Sequence, residues 1–189
     1  MIRIGILGNI GSGKSYVAKN FGYPVFNADD EVSKLYKSNK AMFEKLNNEL
    51  PKYLKSFPVK KNEIIEAILS NKNNLKKIIE IVHKEIRNNL NFFLKKNKDK
   101  KIVILDIPLL LENKINKKND ILVFVDSKKS LVEKKLKKRE NFNLKIYNKF
   151  KKIQFSSLYK KKKSNYIIIN NFREKNVKKE IKNILNKIL

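Results

Sequence analysis

A glycine-rich turn between an apolar strand and a helix places the strongest constraint on this chain. An apolar run over residues 2–7 predicts a buried strand, and the sequence Gly-Asn-Ile-Gly-Ser-Gly-Lys-Ser follows at 8–15. This octapeptide fits G-x-x-x-x-G-K-[ST], the pattern of the phosphate-binding P-loop. In such a loop, successive backbone N–H groups point at phosphate oxygens, and the next helix adds its positive N-terminal end. The sequence therefore predicts a nucleoside triphosphate site near its start.

The side chains of this loop have separate expected roles. Lys14 is expected to reach the β- and γ-phosphates of ATP, and the Ser15 hydroxyl to hold Mg²⁺. ATP and Mg²⁺ are thus the predicted cofactors. The residues expected to line the nucleotide are Gly8, Asn9, Ile10, Gly11, Ser12, Gly13, Lys14, Ser15 and Tyr16.

Bulk composition excludes several other classes of protein. A chain of 189 residues fits one domain with insertions, and the lack of cysteine excludes a disulfide framework. No apolar run approaches the ~18 residues of a membrane span, and no signal peptide precedes the first strand. We therefore expect a cytoplasmic protein with no membrane partner.

The formal net charge of +27 invites a nucleic-acid interpretation. However, 41 of the 45 basic residues are lysines spread along the whole chain, and asparagine is also overused. A nucleic-acid surface predicts lysines on one face with aromatic rings placed to stack on bases. We interpret the charge as a bias of surface positions, and we expect no nucleic-acid partner.

Strands alternate with helices along the chain, which predicts an α/β fold. Apolar runs indicate strands at 2–7, 24–27, 102–106, 121–126 and 166–169. We expect a P-loop nucleoside triphosphate hydrolase-like three-layer sandwich, in which helices cover both faces of a five-stranded parallel sheet. Ligands in such sheets bind beyond the carboxyl ends of the strands.

A single kinase domain with two added parts accounts for the rest of the chain. The core is expected at about 1–38, 99–133 and 164–189. Helical periodicity over about 39–98 indicates an insertion that is too long for a simple crossover and can grip a substrate. A lysine-rich lid is expected at about 134–163.

Carboxylates follow the predicted strands at the ligand-binding edge. Asp30 can cap the helix predicted at 31–36, which leaves Asp29 to orient or deprotonate an acceptor hydroxyl. Asp29 lies near the P-loop if the first two strands are neighbours. Asp106 ends the third strand and either assists Mg²⁺ through water or is a turn residue.

The predicted lid carries cations suited to phosphoryl transfer. Lys135 and Arg139 lie one turn apart on a helix expected at 130–139, which Ser127 can cap. A closing lid would bring such cations over the phosphates. The next helix is expected to run to about residue 163, and the basic run at 160–163 is interpreted as a solvated helix end.

A long helix in the insertion carries His83 and Arg87 one turn apart. The two can contact an anionic group of a substrate. A packing role for the histidine is equally open.

These motifs together resemble the dephospho-CoA kinase family, in order and spacing along essentially the whole chain. The matched motifs are the P-loop at 8–15, D-A-D at 27–29, the histidine helix at 83–87, D-I-P-L-L-x-E at 106–112, R-x-x-x-R at 135–139, a glutamine at 154 and A-D-x-V-I-x-N at 164–170. The P-loop is common to many families, whereas D-I-P-L-L-x-E and the histidine helix are more specific.

The resemblance implies transfer of the γ-phosphate of ATP to the 3′-hydroxyl of dephospho-CoA. Separately, we expect a monomer, with an oligomer as the open alternative. The resemblance also implies Asp29, Lys14 and Arg139 as catalytic residues, and it places Asn170 near the adenine of ATP. The residues that it implies for substrate binding are Asp29, His83, Arg87, Pro108, Leu110 and Glu112.

Departures from the family pattern keep alternatives open. Asn27 replaces the first Asp of D-A-D, Lys84 replaces a proline, Lys135 replaces an arginine, and Asn165 replaces an Asp expected near the nucleotide. The first alternative is another P-loop nucleotide or small-molecule kinase. A nucleic-acid-binding P-loop protein and a non-catalytic nucleotide binder are the others.

Overall fold

The computed structural model describes residues 1–140 and 142–189, and the chain divides into two units. The sheet unit comprises Met1–Asn27 and Asn97–Leu189, and the helical unit comprises Ala28–Lys96. The predicted insertion at 39–98 falls almost wholly within the helical unit, which also includes the helix after the second strand.

The sheet unit is built on five parallel strands, as the sequence predicts. Their order across the sheet is β2-β3-β1-β4-β5. The strands are β1 Ile2–Gly8, β2 Val25–Asn27, β3 Ile102–Asp106, β4 Ile121–Asp126 and β5 Tyr166–Ile169.

The order of the strands corrects one premise of the sequence interpretation. β3 lies between β1 and β2, so the first two strands are not neighbours. The carboxyl ends of parallel strands meet at one edge, and the strand beside β1 on that side ends in Asp106. The acidic residue brought next to the P-loop strand is therefore Asp106.

The core forms because the central strands are apolar on both faces, as parallel strands buried by crossover helices must be. On one face Ile4, Ile6 and Val123 pack with apolar residues of α1 (Lys14–Asn20) and α9 (Glu174–Ile188). On the other face α8 (Ser157–Lys163) packs against β1 and β4. The result is the predicted three-layer arrangement.

The segment between β4 and β5 differs from its prediction. It contains α6 (Lys129–Lys137), α7 (Leu144–Ile153) and then α8, instead of one long helix to residue 163. The Asn143 side chain caps α7, and the Ser156 hydroxyl accepts the Tyr159 N–H to start α8 as a new helix. The sequence Asn-Phe-Asn at 141–143 predicts a turn, and residue 141 lies outside the described residues.

The helical unit consists of four helices. They are α2 Ala28–Ser38, α3 Lys40–Glu49, α4 Lys61–Ser70 and α5 Lys72–Lys96. The buried stripe of α5, including Ile78, Val82 and Ile86, recurs at helical spacing, and the other three helices pack against α5. α5 continues through Lys84 without the break that a proline would favour.

The capping role predicted for Asp30 is wrong. α2 begins at Ala28, directly after β2, so Asp29, Asp30 and Glu31 all lie in its first turn. Carboxylates in this position are favoured by the positive end of the helix. None of the helices described for the chain is long and apolar enough to cross a bilayer.

Candidate active site

The P-loop connects β1 to α1 in a shape that requires glycine. Gly13 precedes α1 in the left-handed conformation, with φ 87° and ψ 25°. A Cβ on Gly13 would lie 2.4 Å from Nδ2 of Asn170. Asn170, in the segment after β5, therefore lies close to the N-terminus of α1.

Residues that follow two neighbouring strands, β4 and β5, donate hydrogen bonds to one carbonyl of the P-loop. The Ser12 carbonyl accepts hydrogen bonds from Oγ of Ser127 at 2.9 Å and from Nδ2 of Asn170 at 2.8 Å. Asn170 is 1% exposed, and its Oδ1 accepts the N–H of Phe172. The ends of β4 and β5 therefore fix the peptide at the centre of the loop.

This arrangement corrects the role predicted for Ser127. α6 has Lys128 at its N-cap and no side-chain capping bond. The Ser127 hydroxyl instead bonds the P-loop across 115 residues of sequence. A serine followed by a helix is an ordinary capping signal, so no local pattern could have revealed the long-range bond.

The side chains of Lys14, Ser15 and Tyr16 lie at the end of the P-loop and the start of α1. Nζ of Lys14 donates to the carbonyls of Gly8 at 3.3 Å and Asn9 at 3.0 Å. The lysine thus folds back over its own loop. Ser15 and Tyr16 are exposed in the first turn of α1. The nucleotide-binding roles of these residues remain predictions.

Asp106 and Asn27 form a pair at the ends of β3 and β2. Asp106 is 3% exposed, and its Oδ2 accepts a hydrogen bond from Nδ2 of Asn27 at 2.9 Å. An aspartate at position 27 would place a second carboxylate against Asp106, and like charges at this distance repel strongly. Asn27 instead donates a hydrogen bond to Asp106, so this departure from the family pattern avoids repulsion between two carboxylates.

The segment after β3 carries three residues that are predicted to bind substrate, namely Pro108, Leu110 and Glu112. The side chain of Leu110 is buried against β1, 2.6 Å from the position of a Cβ on Gly5. Oε1 of Glu112 accepts from Nζ of Lys160 at 3.0 Å and from the N–H of Phe155 at 2.8 Å. Pro108 is half-buried.

The cations at the start of the predicted lid do not share a helix face. Lys135 lies in α6, with its Nζ 4.0 Å from the centre of the Phe172 ring, a cation–π contact. Arg139 is exposed and lies beyond Lys138, the C-cap of α6. The expectation of one shared face is wrong, because α6 ends at Lys137, two residues before its predicted end at 139.

Three further positions correct the sequence interpretation. Lys160 is 3% exposed and Lys161 pairs with Asp126 at 2.6 Å, so the run at 160–163 is not simply a solvated helix end. Asn165 precedes β5 and bonds the backbone of Leu122, at the opposite end of the strands from the P-loop. Its predicted place near the nucleotide is therefore wrong.

The helical unit carries the other predicted site residues. Asp29 is exposed in the first turn of α2. On α5, His83 is half-buried and Arg87 is exposed. Burial, and then the neighbouring Arg87 charge, lower the pKa of His83 below its ordinary value of 6.5. The imidazole is therefore neutral at neutral pH and can donate one hydrogen bond and accept another.

A profile of the dephospho-CoA kinase family matches residues 2–176. The chain belongs to the dephospho-CoA kinase family. A dephospho-CoA kinase of Wolbachia pipientis wMel is 31% identical over 190 residues, which cover 98% of this chain and 97% of that protein. One of Rickettsia typhi is 31% identical over 191 residues, covering 97% and 98%. The predicted family is confirmed, and with it the prediction of an ATP-dependent kinase.

Solved structures confirm the fold. A crystal structure of a Thermus thermophilus protein aligns with a TM-score of 0.81 at 24% identity, covering 100% of this chain and 98% of that one. A dephospho-CoA kinase from Campylobacter jejuni aligns with a TM-score of 0.63 at 22% identity, covering 98% and 96%. The architecture predicted from the sequence is thus shared with both of these structures.

Proposed function

We propose that the chain transfers the γ-phosphate of ATP to the 3′-hydroxyl of dephospho-CoA, which yields CoA and ADP. The observation that carries the proposal is the complete P-loop at the end of β1 in a chain whose family motifs hold their order throughout. The competing proposal, another small-molecule kinase, requires a different acceptor pocket on the same core.

The nucleotide would be bound by the P-loop and the segment after β5. Backbone N–H groups of the loop and Nζ of Lys14 are the donors for the phosphates. The Ser12 carbonyl is already engaged by Ser127 and Asn170, which keeps the loop in one conformation before ATP arrives. Such preorganisation lowers the entropic cost of binding. The adenine would lie near Asn170 and its neighbours.

The oxygen donors at this edge fit a magnesium ion. The Ser15 hydroxyl is exposed in the first turn of α1, and Asp106 ends the strand beside β1. Magnesium prefers hydroxyl, carboxylate and phosphate oxygens, and it commonly retains several waters. When bound, the ion would neutralise charge on the β- and γ-phosphates. Ser15 would hold it directly, while Asp106, fixed by Asn27, would act through water.

Asp29 would accept the proton of the attacking hydroxyl or orient that hydroxyl in line with the γ-phosphate. Its exposed carboxylate supports this role, and so does its place in the first turn of α2, which presents it at a helix end. Asp30, the next residue, is also exposed in that turn and provides a matched control.

Other cations and the substrate residues would complete the reaction. Arg139 would neutralise charge that develops during transfer, because its exposed guanidinium can approach the phosphates from the lid. His83 and Arg87 would contact the acceptor, as would Pro108. A cytoplasmic location and a monomeric state remain predictions.

An acceptor panel with paired variants tests the proposal. ADP release would be measured with ATP, Mg²⁺ and dephospho-CoA, and separately with adenosine, AMP and shikimate. We expect turnover on dephospho-CoA alone. We expect Asp29→Asn to lose about two orders of magnitude or more, as for a positioned general base, while Asp30→Asn stays within about threefold of the parent. Turnover on another acceptor alone would favour the competing kinase.

A further inference from the structure

Helix α8 is fastened to the ligand-binding edge of the sheet at three separate points. Each point joins it to a different segment of the sheet unit, far away in sequence. The contacts are Ser157 Oγ with Asn9 Nδ2 of the P-loop at 2.8 Å, Lys160 Nζ with Glu112 Oε1 after β3 at 3.0 Å, and Lys161 Nζ with Asp126 Oδ2 at the end of β4 at 2.6 Å.

The contact between Glu112 and Lys160 differs from the other two because it is buried. The two side chains are 9% and 3% exposed, whereas Lys161 and Asp126 are 35% and 39% exposed. Charges removed from water need each other and further hydrogen bonds to be tolerated. Both needs are met here, since Glu112 also accepts the N–H of Phe155 at 2.8 Å.

Helix α7, which lies directly before α8 in the chain, differs from it in burial. None of its residues is buried, and Leu144 and Ile153 at its two ends are 60% and 38% exposed. The segment 154–156 joins the two helices in an extended conformation, with Gln154 and Ser156 in the β region. Rotation of a few backbone dihedrals in such a connector can reorient one helix while the other stays in place.

The position of Glu112 makes it unsuited to the substrate contact implied by the family resemblance. Its Oε1 is shared between Lys160 and the backbone of Phe155, the middle residue of the connector. The carboxylate therefore contacts both the middle of the connector and, through Lys160, the middle of α8.

We propose that Glu112 is a positioning residue that anchors α8 to the sheet through Lys160 and Phe155. The moving part of the lid then ends at the connector 154–156, and α8 stays with the sheet during the reaction. This inference rests on the proposed function, because lid movement matters for a kinase that must enclose its phosphates. Without the contacts of Glu112, the connector 154–156 samples more conformations. The lid then reaches its closed geometry less often.

Steady-state kinetics of four variants separate anchoring from substrate contact. We expect Glu112→Gln and Lys160→Gln each to lower kcat about tenfold, with KM for dephospho-CoA within about threefold of the parent, as for a lost conformational step. The double variant should recover to within about threefold, because two neutral amides can pair again. Lys162→Gln, an exposed change on the same helix, is the control and should match the parent.

Amide hydrogen exchange of the full chain without substrates provides a readout independent of the assay. We expect the amides of α8 to exchange at least about tenfold more slowly than those of α7 in the parent protein. We expect this protection to fall in Glu112→Gln and to remain in Lys162→Gln.

Three results would overturn the proposal. The first is an α8 that exchanges as fast as α7 in the parent protein, which decides the matter even if the variants fail to fold. The second is a raised KM in Glu112→Gln with an unaffected Lys160→Gln, which would make Glu112 a substrate contact. The third is a double variant whose losses multiply. A parent protein inactive on dephospho-CoA would refute the proposed function, while the exchange data would still test the anchor.

Discussion

The shared carbonyl of Ser12 makes a prediction that pairs of substitutions can test. Ser127 and Asn170 both donate to this one oxygen. Removal of either donor leaves the carbonyl with the other, but removal of both leaves a polar group of the P-loop without either strand-end donor. Ser127→Ala and Asn170→Ala should therefore be worse together than the sum of their separate effects.

The magnitudes follow from the number of bonds lost and from the burial of each side chain. Ser127→Ala removes one hydrogen bond, which is worth about 1 kcal/mol of the free energy of unfolding. Asn170→Ala removes two bonds from a side chain that is 1% exposed and orphans the N–H of Phe172, so we expect about 2–4 kcal/mol. The unsatisfied carbonyl of the double variant adds a coupling of about 1–2 kcal/mol.

Urea unfolding followed by circular dichroism measures this cycle, and calorimetric titration with a non-hydrolysable ATP analogue measures its effect on binding. A parallel cycle of Ser127→Ala with Asn171→Ala provides the control. Asn171 bonds the N–H of Arg173 and not the P-loop, so its cycle should be additive. Coupling below about 0.5 kcal/mol for the Ser127 and Asn170 pair would refute the idea that one carbonyl depends on both.

Three further predictions concern single residues. Arg3→Ala should destabilise the fold by about 3–5 kcal/mol in urea unfolding, because it leaves the buried Asp120 carboxylate, 3.0 Å from the guanidinium, without its partner. Burial, and secondly a neighbouring positive charge, lower the pKa of His83 from 6.5, so the unfolded chain takes up this proton first as the pH falls. The free energy of unfolding should therefore decrease below about pH 6.5, and His83→Gln should flatten this part of the profile. Gly13→Ala should abolish binding of the ATP analogue in calorimetry, because the residue has a left-handed φ of 87° and its Cβ would lie 2.4 Å from a buried amide nitrogen; unchanged affinity would contradict the glycine argument.

The sequence alone was sufficient for the strands and for the P-loop. The predicted limits of β3, β4 and β5 match the structure because short continuous runs rich in Ile and Val are typical of strands in a parallel sheet. The loop at 8–15 was equally predictable, since glycine at fixed spacing is demanded by backbone geometry.

Contacts between distant residues were not predictable in this way. Strand order depends on pairing between segments separated by most of the chain, and the place of β3 between β1 and β2 left no local signal. The Lys160 ion pair was hidden for a related reason. Residues 160–163 are all lysines, and Lys160 is buried because it pairs with Glu112. Nothing in the run itself distinguishes Lys160 from the other three.

The double hold on Ser12 has a consequence for the order in which the protein is made. The P-loop leaves the ribosome before both of its donors, because one lies 115 residues later and the other 158 residues later. A nascent chain that stops before β5 contains the entire phosphate-binding motif, β1 and Ser127, but it lacks the Asn170 amide that makes the second hydrogen bond. The P-loop therefore gains its second side-chain donor only after β5 has been made, and a product truncated before Asn170 carries the motif with a single such hydrogen bond to the Ser12 carbonyl.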